Sequence, residues 1–215
     1  MRSVQIKDFS LSTTVDYERA VAYGDAKLEE VAKAFCAPPL ATAVNTTTIN
    51  LEKQNDLFSY SLFIPLFNGA GSATIDAQRI NVLFKQGNER GHLDLMIDFT
   101  LKILAVASTR PTKQSLMSFT GHAVFDAPSD YAEYMKRFTS LSAGILSGGA
   151  VLVGALPEVD GELRYASEKS LAYENALFLA ANGKTTKEVS KDLFESMGKR
   201  FEALAGADGI SLRKA

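Results

Sequence analysis

Apolar and polar residues alternate along residues 92–106. Leu93, Leu95, Ile97, Phe99, Leu101 and Ile103 fall on one side at period two, and His92, Asp94, Met96, Asp98, Thr100 and Lys102 on the other. That spacing predicts a strand with one buried face, far longer than the ~5–6 residues usual in globular proteins. A broad antiparallel sheet is therefore the expected organising element.

The same reading extends toward the N-terminus. Residues 4–11 read as a short strand or extended arm. Residues 25–36 predict a helix, with Leu28, Val31, Ala32 and Phe35 at helical spacing and Pro38 and Pro39 ending it. Residues 46–53 and 58–66 predict two strands; in the second, Phe58, Tyr60, Leu62, Ile64 and Leu66 share a face. The run from Asn68 to Ser72 turns the chain into 73–85. There the inward set changes from Ala73 and Ile75 to Ile80, Val82 and Phe84, a change of phase that predicts a β-bulge within 76–79. Residues 86–91 close a hairpin onto 92–106, and after a polar loop at 109–113 a fifth strand spans 116–125.

Beyond that strand the pattern turns helical. Asp130 and Glu133 make an N-terminal capping pair, followed by a stripe of Tyr131, Tyr134, Met135, Phe138 and Leu141. Gly148 and Gly149 break this helix before the apolar stretch 150–156, and 157–161 reads as a linker. Helices are expected over 167–181, stopped by Asn182 and Gly183, and over 186–205, stopped by Gly206. In the last, Thr185 and Glu188 have capping-box spacing, and Val189, Leu193, Phe194, Met197, Phe201 and Leu204 share a side. The sequence shows no internal repeat. The expected fold is α+β: an antiparallel sheet of about five meandering strands, one helix before it and the others after. Its divisions are an arm and helix (1–41), a sheet-plus-helix core (42–157) and a helical extension (158–215).

Composition narrows the function only by exclusion. The 215 residues are 46% hydrophobic and 22% charged with net charge −2, ordinary values for a folded protein. Residues 158–215 carry nine Lys/Arg and ten Asp/Glu, so neither part of the chain is strongly basic. Cys36 is the only cysteine, which excludes an intramolecular disulfide and a thiolate metal cluster. The N-terminus lacks the apolar core of a signal peptide. The stretch 141–156 is too short and Gly/Ser-rich for a membrane span, and no membrane partner is expected.

Candidate chemistry is sparse. His92 and His122 lack the spacing of a zinc site. His92 with Asp94 and Asp98 has the makings of a general base with acidic partners, but alternating polar residues on a half-exposed strand give the same pattern. His122 reads as a strand residue hydrogen-bonded locally, and Cys36 as a small buried residue. The GxG at 69–71 opens a strand rather than a helix and reads as a hairpin turn, not a phosphate loop. The Gly/Ser-rich run 142–149 lacks the lysine of a P-loop. No catalytic, cofactor or metal residue is assigned, and the chain is expected not to be an enzyme. Arg79, Lys85, Arg90, Lys102, Arg110 and Lys113 are spread over the central strands and loops. Arg79, Lys85 and Lys102 would touch phosphates if they share a face, while Asp94 and Asp98 oppose a continuous positive surface there.

RINVLFKQGNERGHLDLMIDFTLKI (79–103) resembles the central hairpin of the coat proteins of small single-stranded RNA phages. SLMSFTGHAVFDAPSDYAEYMKRFTSLSAGILSGGAVLVGALP (115–157) resembles their last strand and C-terminal helical part. The resemblance covers about half the chain. It implies a homodimer whose helices cross onto a partner, assembly into a shell around RNA, and a location in the virion or the host cytoplasm. The segments before Thr42 and after Pro157 exceed that plan. The competing reading is a helix-grip domain in the cytoplasm, whose curved sheet would wrap a helix around a lipid-like ligand lined by Tyr60, Phe84, Phe99, Tyr134 and Phe138. A hydrolase using His92 or His122 comes third.

Overall fold

A computed structural model of the chain describes residues 2–19, 25–38, 40, 41, 49–53, 60–88, 90–107, 111–139, 149–156 and 160–212. The alternation that reads as a short arm continues to Tyr17, so Arg2–Tyr17 is one sixteen-residue strand, β1. There follow α1 (Asp25–Phe35), β2 (Asn50–Lys53), β3 (Tyr60–Leu66), β4 (Gly71–Ile75), β5 (Arg79–Gly87) and α2 (Arg90–Ala107). Then come β6 (Thr112–Phe125), α3 (Pro128–Thr139), β7 (Gly149–Leu156), β8 (Gly161–Lys169), β9 (Ala176–Thr185), α4 (Lys191–Ala207) and β10 (Ile210–Leu212).

Residues 92–106 are helix, not strand. On α2 the buried residues are Met96, Phe99, Thr100 and Ile103, three or four apart, whereas Leu95 is 55% exposed. Asp98 and Lys102 pair across one turn, and the Thr100 hydroxyl donates to the Met96 carbonyl at 2.7 Å. Four leucines with Met96, Lys102 and Ala105 have unbranched β-carbons that suit a helix, against the four β-branched residues Ile97, Thr100, Ile103 and Val106. The hairpin expected at 86–91 is instead the passage from β5 into α2. The helix expected over 167–181 is likewise replaced, by the end of β8, a turn and the start of β9, with the Ser170 N–H donating to the Ala176 carbonyl at 2.9 Å. The apolar 149–156 is a strand. The phase change near Asp76 is a tight turn, in which the Asp76 N–H donates to the Arg79 carbonyl and its carboxylate accepts from the N–H groups of Gln78 and Arg79. A bulge does occur, but in β1, where Asp8 takes a positive φ of 46° and the register with β6 shifts between Lys7 and Ser10.

The α+β class holds and the five-strand meander does not. Among the described residues ten strands form one sheet in the order β2-β3-β4-β5-β1-β6-β9-β8-β7, with β10 beside the start of β1. All pairs are antiparallel except β1 with β10. Residues 158–215, read as a helical extension, thus supply three strands to the same sheet as the core. The two halves share a plan that the sequence conceals. Each opens on a long strand (β1, β6), crosses through a helix (α1, α3) to the sheet's far side, and returns as a meander whose last strand pairs with the opening one. Each closes with a helix, α2 or α4.

One face of this sheet carries the core. Thr13, Val82, Met117, Leu163 and Gly183 lie in one row across five strands. A β-carbon on Gly183 would collide with the Met197 side chain, so the glycine lets α4 settle onto the sheet. The Phe67 ring meets Phe99 of α2 and Phe84 of β5, and Phe125 of β6 meets Tyr131 and Tyr134 of α3. Because α2, α3 and α4 all pack on this side, with α1 against α2, the opposite face is left without a helix among the described residues.

Candidate functional site

The uncovered face is built by strand alternation, because the residues between the core positions must point away from the helices. Ser12 of β1 stands in a row with Leu83, Ser72, Ser118, Asn182, Arg164 and Val153. Thr14 heads the next, with Asn81, Thr74, Leu116 and Lys184. The Thr14 hydroxyl donates to the Asn81 amide oxygen at 3.0 Å, and the Ser118 hydroxyl to that of Asn182 at 2.7 Å. The centre is therefore mostly hydroxyls and amides, interrupted by Leu83 and Leu116. Lys7, Lys85, Arg164 and Lys184 stand around it, with Glu162 and Glu168 toward the β7 side.

Of the candidate phosphate contacts, Arg79 and Lys85 share this face on β5, and Lys102 does not, since it lies on α2. Arg79 is engaged by Asp16 at 2.6 Å, a bond that also favours its charged form. Asp94 and Asp98 ride on α2 as well, so they leave the sheet face entirely. His92 sits in the first turn of α2, where its Nδ1 accepts the Asn88 N–H at 3.3 Å. Its Asp partners project elsewhere on the helix, and no base-and-acid group forms. The side chains of Tyr60 and Arg90, together with Phe58, Arg110 and the Gly/Ser-rich 142–148, lie outside the described residues. The turn 67–69 leads β3 directly into β4, as a hairpin connection rather than a phosphate loop.

Cys36 is exposed, not buried; the core position at the end of α1 is taken by Phe35. His122 bonds not locally but across the sheet, to Ser170 at 2.9 Å. Ser170 is 4% exposed, and its oxygen also accepts the N–H groups of Ala172 and Tyr173 at 3.1 Å. With its lone pairs so occupied, the hydroxyl braces the turn after β8 and is poorly placed to act as a nucleophile. Tyr173 in that turn donates to Asp8 at the β1 bulge, which holds its hydroxyl protonated.

The densest polar cluster is not legible in the sequence. Asp208, 1% exposed, ends α4, and its Oδ2 accepts from the hydroxyls of Tyr134 (2.8 Å), Ser167 (2.8 Å) and Tyr165 (3.0 Å). Its Oδ1 faces the Arg137 guanidinium at 3.3 Å, and Arg137 also donates to the Asp208 carbonyl. An acid at a helix C-terminus opposes the helix dipole, and that misfit in Ala207-Asp208-Gly209 is the one available signal. The residues that meet there are spread from 134 to 208. The cluster joins α3, β8 and α4. Its carboxylate and hydroxyls are buried while Arg137 reaches solvent, so it serves the fold.

Burial, together with the Asp208 charge, pushes the hydroxyls of Tyr134 and Tyr165 far above the usual tyrosine range. Both remain neutral in the fold, while in the unfolded chain they ionise near pH 10. Stability is therefore full below about pH 10 and falls as pH rises beyond it, by about 1.4 kcal/mol per tyrosine per pH unit. Urea midpoints at pH 9 and pH 11 measure the fall. Replacing both tyrosines with phenylalanine should flatten it, and an equally steep fall in that variant would refute the assignment.

No protein-family model and no curated protein matches this chain. Among the described residues no helix is long and apolar enough to cross a membrane, and no group of three or more His, Cys, Asp or Glu side chains is placed to hold a metal ion. Four of the aromatic residues expected in a helix-grip pocket fall into separate clusters. Phe84 and Phe99 pack with Phe67, and Tyr134 and Phe138 pack together on α3, on the other side of the β1–β6 pair.

Proposed function

We propose that this chain is a non-enzymatic, self-assembling structural protein of coat-like kind that turns the bare face of its sheet toward RNA. The observation that carries the reading is the helix-free face itself: Ser, Thr and Asn side chains interrupted by Leu83 and Leu116. Lys7, Lys85, Arg164 and Lys184 stand around them, with Glu162 and Glu168 confined to the β7 side. Hydroxyls and amides supply donors and acceptors for riboses and bases, and the cations supply the phosphate attraction. The two aspartates that oppose such a surface in the sequence pattern lie on α2, behind the sheet.

The test is binding of a labelled single-stranded oligouridine, followed by fluorescence anisotropy between about 50 and 200 mM salt. Affinity should fall steeply across that range. Lys85→Glu combined with Lys184→Glu should weaken binding about tenfold or more, whereas Lys102→Glu, on the helical side, should leave it unchanged. Absence of binding by the folded protein at the lowest salt would end the RNA reading.

A further inference from the structure

The two outer edges of the sheet are unlike. β2 is four residues long, and its sequence, Asn-Leu-Glu-Lys, contains two charges. β7 is twice that length and reads Gly-Ala-Val-Leu-Val-Gly-Ala-Leu, with neither charge nor proline. It pairs with β8 over all eight residues, and among the described residues no strand covers its outer side. Such an edge offers a row of unpaired N–H and C=O groups, and proteins ordinarily blunt it with a charge, a proline or a bulge. Here none of these is present. Val151 and Val153 are 58% and 62% exposed, adjacent on the uncovered face.

The strand is also symmetric about its own centre. From Leu152 outward the residues are Val and Val, Ala and Gly, Gly and Ala. The chain's own packing explains part of this, because a β-carbon on Gly149 would strike the Ser167 carbonyl and one on Gly154 would strike the Arg200 side chain. It does not explain the valines, which stand largely in solvent.

We infer that β7 pairs antiparallel with β7 of a second copy of this chain, about a two-fold axis through Leu152. This inference rests on the self-assembly part of the reading above and specifies its contact. An antiparallel pair of identical strands is isologous, so each residue must meet the one at equal distance beyond the axis. Leu152 then faces its own counterpart on the helical side. Val151 faces Val153 of the second copy on the open side, and Ala150 faces Gly154. β-branched pairs of this kind favour a sheet, and small residues fall opposite small ones. Seven residues of overlap supply roughly six to eight inter-strand hydrogen bonds. The result is one continuous sheet of twenty strands, twice the ten of each copy, with the two uncovered faces joined.

The symmetry gives a register-specific test. In V151E/V153E, the carboxylate introduced at position 151 would oppose the carboxylate at position 153 of the second copy. In V151K/V153E, an ammonium at position 151 would oppose that carboxylate and the charges would match. Both variants place the same carboxylate at position 153, beside Arg164 of its own β8, so they differ only in the sign at position 151. Because both valines are solvent-exposed in the single chain, circular dichroism and melting should show two folded proteins.

Light scattering on the eluting wild type should give a multiple of the 23.3 kDa chain mass. V151E/V153E should dissociate, and V151K/V153E should re-associate about a hundredfold more tightly, roughly tenfold for each of the two opposed pairs. A monomeric wild type would overturn both the contact and self-assembly. A V151E/V153E variant that keeps the wild-type mass would overturn the β7 contact alone, since association would then use another surface. Equal dissociation of the two variants would rule out this two-fold register.

Discussion

Replacing Asp208 with alanine should destabilise the fold by about 3–5 kcal/mol, the cost of breaking one side of a buried, charged cluster. Three hydroxyls converge on one carboxylate oxygen, and Tyr134 and Tyr165 are fully buried. Without the acceptor, those hydroxyls keep their desolvation cost and lose the carboxylate, while Arg137 keeps its bond to the backbone carbonyl of residue 208. The loss compares with a total stability of about 5–15 kcal/mol for an ordinary domain. Urea unfolding at neutral pH measures it. Asp208→Asn retains an acceptor of the same shape and should cost less than the alanine. A change below about 1 kcal/mol for Asp208→Ala would mean that the cluster is relaxed by water or rearrangement.

Ile103→Ala should cost about 2–5 kcal/mol, and Leu95→Ala no more than about 0.5 kcal/mol. Ile103 is fully buried against the sheet and Leu95 is 55% exposed. The pair also distinguishes the two readings of 92–106. On a half-buried strand both residues belong to one buried face, and the two substitutions would cost similar amounts. On α2 they lie on different sides. Equal losses would contradict the helix.

Several elements can be read directly from the chain. β1, α1, β3, β6, α3 and α4 each carry a pattern with one period. Their ends are less legible: α3 begins at Pro128, ahead of the expected capping Asp130. α4 is capped by Ser190 rather than Thr185 and runs past Gly206 to Ala207. The single strand expected over 73–85 divides into β4 and β5 at the Asp76 turn. The misreadings come where two periods coincide. Leu93, Ile97, Phe99, Leu101 and Ile103 satisfy period two, but Leu93, Met96, Phe99, Thr100 and Ile103 satisfy the helix, and length and residue type decide between them. In 167–181, alanine-rich composition favours a helix locally. Pairing with β6 and β7 overrides it, because strand preference is set by neighbours across the sheet. The bare face and the β7 edge follow from strand order, which no local pattern encodes. The Asp208 cluster is formed by side chains from α3, β8 and α4, 134 to 208, which no local pattern brings together.

β1 is the middle of the sheet yet is made before any strand that flanks it. One side is filled by β5 over Phe9–Asp16 and by β10 over Arg2–Val4, and the other by β6 along nearly its whole length. During synthesis the strand with most to pair therefore stands bare on both sides until residue 87 emerges, along its β6 side until residue 125, and beside Arg2–Val4 until residue 212. Neither half of the sheet can close around a local hairpin of its own opening strand. Folding of this protein should be slow, governed by the closure of very long loops, and its newly made N-terminal strand is the segment most in need of a chaperone.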